Sequence, residues 1–153
     1  MEHDSLDMLG ELESSANRVE LNTLFRDQAN ETRQQIANLE RCFQLLGEEI
    51  NDSPSPTTKG LAKEGKSAIG NRRHARERRR PRGALETEHY ETAVYETLIT
   101  NADARGAADV AQLLRQNLEQ EKAAIEKIKK AAHTIANEGI AVPDAGAGDS
   151  GVL

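Results

Sequence analysis

The chain has one cysteine, no tryptophan, two tyrosines, two phenylalanines and four prolines among 153 residues. A lone Cys42 excludes an internal disulfide and any zinc or iron–sulfur framework built from cysteines of one chain. A reducing compartment is expected. The poverty in aromatics, 3% of the residues, argues against a sheet protein and for helices packed through Leu, Ile and Ala. No run of 18 apolar residues is present, so no membrane span is expected, and Met1-Glu2-His3-Asp4 is acidic where a signal peptide would be basic and then apolar. These absences predict a soluble, cytoplasmic, all-α protein. Also missing are a Gly-rich phosphate loop, a CxxC pair and any arguable Ser-His-Asp or Cys-His arrangement, which leaves nucleophilic catalysis and nucleotide binding without support.

Charged residues make up 30% and the net charge is −6. The sign is distributed unevenly. Arg72, Arg73, Arg76, Arg78, Arg79, Arg80 and Arg82 lie within a dozen residues; without those seven and Glu77, 13 basic and 25 acidic residues leave a net charge of −12. The body is acidic and one block is basic.

Periodicity of three and four residues divides the chain into four main helices. The first spans about Asp4 to Ala16 with Leu6, Leu9 and Leu12. The second spans about Val19 to Glu49 along Leu21, Leu24, Gln28, Glu31, Gln35, Leu39, Cys42 and Leu46, stopped by Gly47 and by Asn51-Asp52-Ser53-Pro54-Ser55-Pro56. A short helix fits Thr57 to Ile69. Pro81 argues against a regular helix through the Arg block, so 71–83 reads as a loop. The third main helix spans about Ala84 to Thr100 along Leu85, Glu88, Thr92, Tyr95 and Ile99. The fourth spans about Ala107 to Asn137 along Val110, Leu114, Leu118, Glu121, Ile125, Ile128, Ala132 and Ile135. One domain over 1–137 is expected, followed by a disordered tail rich in Gly, Ala and Asp over 138–153.

Carboxylates interrupt the apolar stripes, and burying one is costly unless it is paired, hydrogen-bonded or bound to a cation. Their depths correspond. About the turn near Ala104, Glu88 stands 16 residues before and Glu121 17 after; about the turn near Asn17, Glu2 stands 15 before and Glu31 14 after. Residues equidistant from the turn of an antiparallel pair lie at the same level. Four helices each offering one Glu, with a long crossover from about Ile50 to Gly83, describe a one-crossover bundle with a di-metal carboxylate centre, iron or manganese being suited to hard oxygen ligands. Glu91, one turn from Glu88, is a further or alternate ligand, with a surface ion pair as the competing reading. His89 points away by about 100°. Tyr95 reads as a core residue with a bonded hydroxyl, and Gln34 and Gln35 as partners for a ligand carboxylate or for each other.

Several blocks in order resemble the YciE/YciF-type ferritin-like family, also known as a ferroxidase family. They are Glu20-Leu21 with Phe25, Glu31-Thr32-Arg33-Gln34-Gln35 with Leu39-Glu40, Phe43 to Gly47, Gly60-Leu61 with Lys63-Glu64-Gly65, Glu88-His89-Tyr90-Glu91 with Tyr95, and Leu113-Leu114 with Leu118 and Glu121-Lys122-Ala123. The resemblance implies a ferritin-like four-helix bundle, a homodimer, a di-iron or related centre and a link to stress. This chain departs from the family in four places. Where the family carries a histidine this chain has Gln28, where it carries an aspartate this chain has Ile125, and the helix-one Glu is Glu2, so that the first helix is expected to be shortened. The Arg block, Arg72 to Arg82, replaces an apolar helix start. It admits three readings: solvated charge, a nucleic-acid-binding loop that neutralises phosphates without aromatics for stacking, and a locally shifted reading frame in GC-rich DNA. The alternative to a metal protein is a non-catalytic helical bundle acting through dimerisation or through that block.

Overall fold

The computed structural model describes residues 1–49 and 73–140, apart from the side chains of 73–80, 139 and 140. Four helices account for them: α1 (Glu2–Ser15), α2 (Val19–Leu46), α3 (Arg73–Ala104) and α4 (Ala108–Ile140). The expected short helix over 57–69, most of the crossover and nearly all of the expected tail lie outside the described residues.

Glycine sets two of the boundaries. Gly47 ends α2 at φ 69°, and Gly106 turns α3 into α4 at φ 70°, a left-handed conformation that costs a side chain with Cβ roughly 1 kcal/mol or more. The backbone bonds Glu48 N–H to Phe43 O (3.0 Å) and Ala107 N–H to Ala102 O (2.9 Å) then satisfy carbonyls of each last turn. The α1–α2 turn is stitched by a side chain instead: Asn22 Nδ2 donates to Glu13 O (2.8 Å) and Ala16 O (3.1 Å).

One boundary differs from the sequence expectation by eleven residues. α3 begins at Arg73, not Ala84, so the Arg block that reads as a loop is helical where it is described, and Pro81 lies inside the helix. Proline removes only its own N–H, the partner of the Glu77 carbonyl, and one interior proline bends a helix without ending it when tertiary packing compensates. Pro81 is among the most deeply buried side chains of the protein.

α1 packs on α2, α3 on α4, α2 on α4, and α1 touches α3, so α2 and α3 occupy one diagonal and run parallel. A long connection between α2 and α3 follows from that geometry, as in one-crossover bundles. With 14 residues against 28 in α2, α1 covers only about half of the bundle's length. Beyond its start, an apolar groove of about 220 Å³ lies open between α2 and α3, with Leu39, Phe43, Leu46, Leu98 and Leu114 on its walls.

The core is divided in two. At the end of the α1–α2 turn, Met8, Leu9, Leu12, Leu21, Phe25, Ala29, Ala84, Ile128 and Ile135 pack together. At the end of the α3–α4 turn, Cys42, Tyr95, Ile99, Ala102, Val110, Ala111, Leu114 and Leu118 do the same. Between them lies a layer of buried polar side chains: Glu2 and Ser5 from α1, Gln28, Thr32 and Gln35 from α2, Thr87, Glu88 and Glu91 from α3, and Asn117 and Glu121 from α4.

Candidate metal centre

Helical spacing explains how each carboxylate reaches this layer. On α4 the stripe Leu114, Leu118, Glu121, Ile125, Ile128 runs in steps of three and four, so Glu121 occupies a core position with apolar neighbours one turn above and below. On α3, Glu88 and Glu91 are three apart and flank the interior, with Tyr95 one turn beyond Glu91. Glu2 enters from the first turn of α1. All four are withdrawn from water, with exposures of 3% for Glu2, 5% for Glu88 and 2% for both Glu91 and Glu121. One oxygen each of Glu2, Glu91 and Glu121 lies within 4.8 Å of the other two, and Glu88 is in hydrogen-bonding contact with Glu121.

Polar side chains hold these carboxyls in place. Ser5 Oγ donates to Glu91 Oε1, and Gln28 Nε2 crosses the bundle interior from α2 to donate to Glu88 Oε1 at 3.1 Å. Gln35 hydrogen-bonds to Glu121. Tyr95 Oη donates to Glu2 Oε1 at 2.5 Å, and Asn117 Nδ2 donates to the Tyr95 oxygen at 3.0 Å.

Burial dominates the electrostatics. Desolvation pushes all four carboxyls far above the ordinary glutamate range. Mutual repulsion pushes Glu88, Glu91 and Glu121 further in the same direction, while Tyr95 and the chain's ammonium group pull Glu2 back part of the way, to about 7. The layer therefore holds shared protons, or a cation in their place.

Two observations favour the cation. Glu2 Oε2 and Gln28 Oε1 are buried and have no hydrogen-bond partner, an arrangement that costs about 1–3 kcal/mol per acceptor unless something positive satisfies it. The donor set is entirely oxygen and rich in carboxylate, which suits hard divalent ions of the manganese and iron kind. The residues present fit such an ion.

Glu31 is not among the converging oxygens, although its charge is near enough to add to the upward push on Glu88. It is half-buried on the flank of α2 and accepts from Lys127 Nζ at 2.7 Å, while Gln28, Thr32 and Gln35 take the interior positions. The expected stripe shares Leu21, Gln28, Gln35 and Cys42 with the buried face of α2, but Phe25, Ala29 and Thr32 complete that face where Leu24, Glu31 and Leu39 are expected. Glu91, with a surface ion pair as its competing reading, is instead one of the most deeply buried groups. His89 is exposed. Gln35, not Gln34, meets a carboxylate; Gln34 donates to Asn38 on the outside. Three members of the layer, Ser5, Thr87 and Asn117, escaped sequence reasoning. Ser5 and Asn117 are small polar residues common on any helix, and the only available signal was their spacing, three residues after Glu2 and four before Glu121.

A family model described as a domain of unknown function, DUF892, matches residues 1–141. The chain belongs to that family. Its structure is similar to that of the Escherichia coli stress protein YciF, with a TM-score of 0.85, 27% identity, and coverage of 90% of this chain and 88% of that one. It is also similar to YcfI of Rhodopseudomonas palustris, with a TM-score of 0.80, 30% identity, and coverage of 84% and 83%. No curated protein sequence matches the chain. Membership of this YciF-type family and the all-α bundle agree with the expectations from the sequence. Among the described residues of this DUF892 member, no helix is long and apolar enough to cross a membrane.

Proposed function

We propose that this DUF892 protein is a ferritin-like metal–carboxylate protein that takes up iron or manganese in its polar layer and acts, like a ferroxidase, in the handling of iron or oxidant under stress. The observation that carries the reading is the convergence of four buried glutamates, with Glu2 Oε2 left unpartnered in their midst. The similarity to a protein described as a stress protein supports the setting.

Glu2, Glu91 and Glu121 would hold the ion, with Glu88 beside Glu121. Bound iron would supply one-electron transfer to dioxygen or peroxide. The protein's own part is to exchange protons for the cation, since each carboxyl that releases a proton on loading takes it back when the ion leaves. Leu118 and Ile125, one turn on either side of Glu121, keep the layer dry and keep those charges strong.

Purified protein loaded anaerobically with ferrous iron or manganese and then desalted tests the reading by metal analysis. At least one ion per chain, and ferrous oxidation faster than in a protein-free control, are expected. Less than one ion per two chains, with no acceleration, would refute it.

A further inference from the structure

Glu2 stands in the first turn of α1, where helices fray, yet it is only 3% exposed. Its side chain is tied at one atom only. Oε1 accepts from Tyr95 Oη at 2.5 Å, and Oε2 has no partner. Tyr95 is itself fully buried, and its oxygen accepts from Asn117 Nδ2 at 3.0 Å. Asn117, also with no exposed surface, is fixed in turn. Its Nδ2 donates to Gln35 O at 3.2 Å, and its Oδ1 accepts from Asn38 Nδ2 at 2.7 Å. A chain of hydrogen bonds thus runs from α2 through α4 and α3 to the start of α1.

We infer that Tyr95 and Asn117 are positioning residues that hold Glu2 with one oxygen tied and the other presented to a divalent cation. The inference rests on the metal reading and adds to it the device that makes a helix-terminal glutamate into a ligand. A phenol that donates to one oxygen of a carboxylate sets the orientation of the whole planar group, and such supporting bonds typically change metal affinity 10- to 100-fold. Asn117 gives the phenol its direction: with its acceptor site filled by Nδ2, the hydroxyl proton is aimed at Glu2. α1 touches α3 only slightly, so this bond is a principal tie between the start of α1 and the rest of the layer.

Tyr95→Phe removes the hydroxyl and keeps the ring in its apolar cluster, and Asn117→Leu removes the support one step back. Two measurements on the full chain separate the possible results: manganese(II) titration followed by electron paramagnetic resonance, and amide hydrogen exchange of α1 in metal-free protein. For Tyr95→Phe we expect affinity to fall at least 10-fold and exchange of the first turns of α1 to quicken, with the exchange of α4 unchanged. Asn117→Leu should shift both readings in the same direction but by less. Unchanged affinity in Tyr95→Phe, in a wild type that binds manganese, would overturn the inference, as would unchanged exchange of α1. A wild type that binds no manganese although Tyr95→Phe loosens α1 would refute the metal reading and leave Tyr95 as a lock without a ligand to serve. Should Asn117→Leu fail to fold, Tyr95→Phe decides alone.

Discussion

Glu88 of α3 and Glu121 of α4, 33 residues apart in the sequence, meet carboxyl to carboxyl in the interior of the bundle. Two carboxylates cannot share a hydrogen bond without a proton between them, so at least one of the pair is neutral in the metal-free protein. Burial and mutual repulsion raise Glu88 to about 8, and Glu121 to about 11, the latter with the proton it gives to Glu88.

The metal-free protein should accordingly lose stability as pH rises. An unfolded glutamate releases its proton near its ordinary value, whereas the folded state keeps its protons to higher pH, so the folded state binds more protons across the interval. The contribution is complete below about pH 4.5 and disappears as pH climbs through the folded-state values. Thermal melts in chelator should show a midpoint falling by on the order of 10 °C between pH 5 and pH 8. Saturating manganese should remove or reverse that slope, because loading displaces the same protons. A midpoint that rises with pH in chelator would contradict the proton count.

Glu31→Ala should leave metal stoichiometry and affinity unchanged. Its carboxylate is committed to Lys127 on the flank of the bundle, and a pair at that exposure contributes about 0–1 kcal/mol. Titration of manganese into the variant checks this. Loss of one equivalent would show that Glu31 leaves Lys127 to join the layer.

Phe25→Ala should destabilise the fold by about 3–5 kcal/mol, because the ring is fully buried in the cluster beneath the polar layer. Leu46→Ala, at a residue 50% exposed on the rim of the groove, should cost well under 1 kcal/mol. Urea unfolding of the two variants measures both, and similar losses would mean that the groove is covered in solution.

The α4 stripe was readable residue by residue, since Val110 to Ile128 repeats apolar positions regularly and Glu121 stands out against them. α2 was harder. Its interior face is polar through the middle, so hydropathy does not distinguish Glu31 from Thr32 as the residue that lies between Gln28 and Gln35 on that face. On α3, Glu91 was ambiguous for a related reason: Glu88 and Glu91 sit on either side of the line facing the axis, and spacing alone does not show which of two such positions the neighbouring helices cover. Pro81 lies inside α3 because tertiary packing there outweighs the local preference that keeps proline out of helix interiors.

By itself the sequence determined the helical class, the stop of α2 at Gly47, the turn near Ala104, and the equal depth of Glu88 and Glu121, since these depend on local spacing and on counting residues from a turn. Only the tertiary structure decided which glutamates are buried together. Whether a carboxylate meets another carboxylate, as Glu121 does, or a lysine, as Glu31 does, depends on the rotation of each helix about its own axis. That rotation is fixed by packing the two apolar clusters above and below, whose burial free energy outweighs the cost of the four acids enclosed between them.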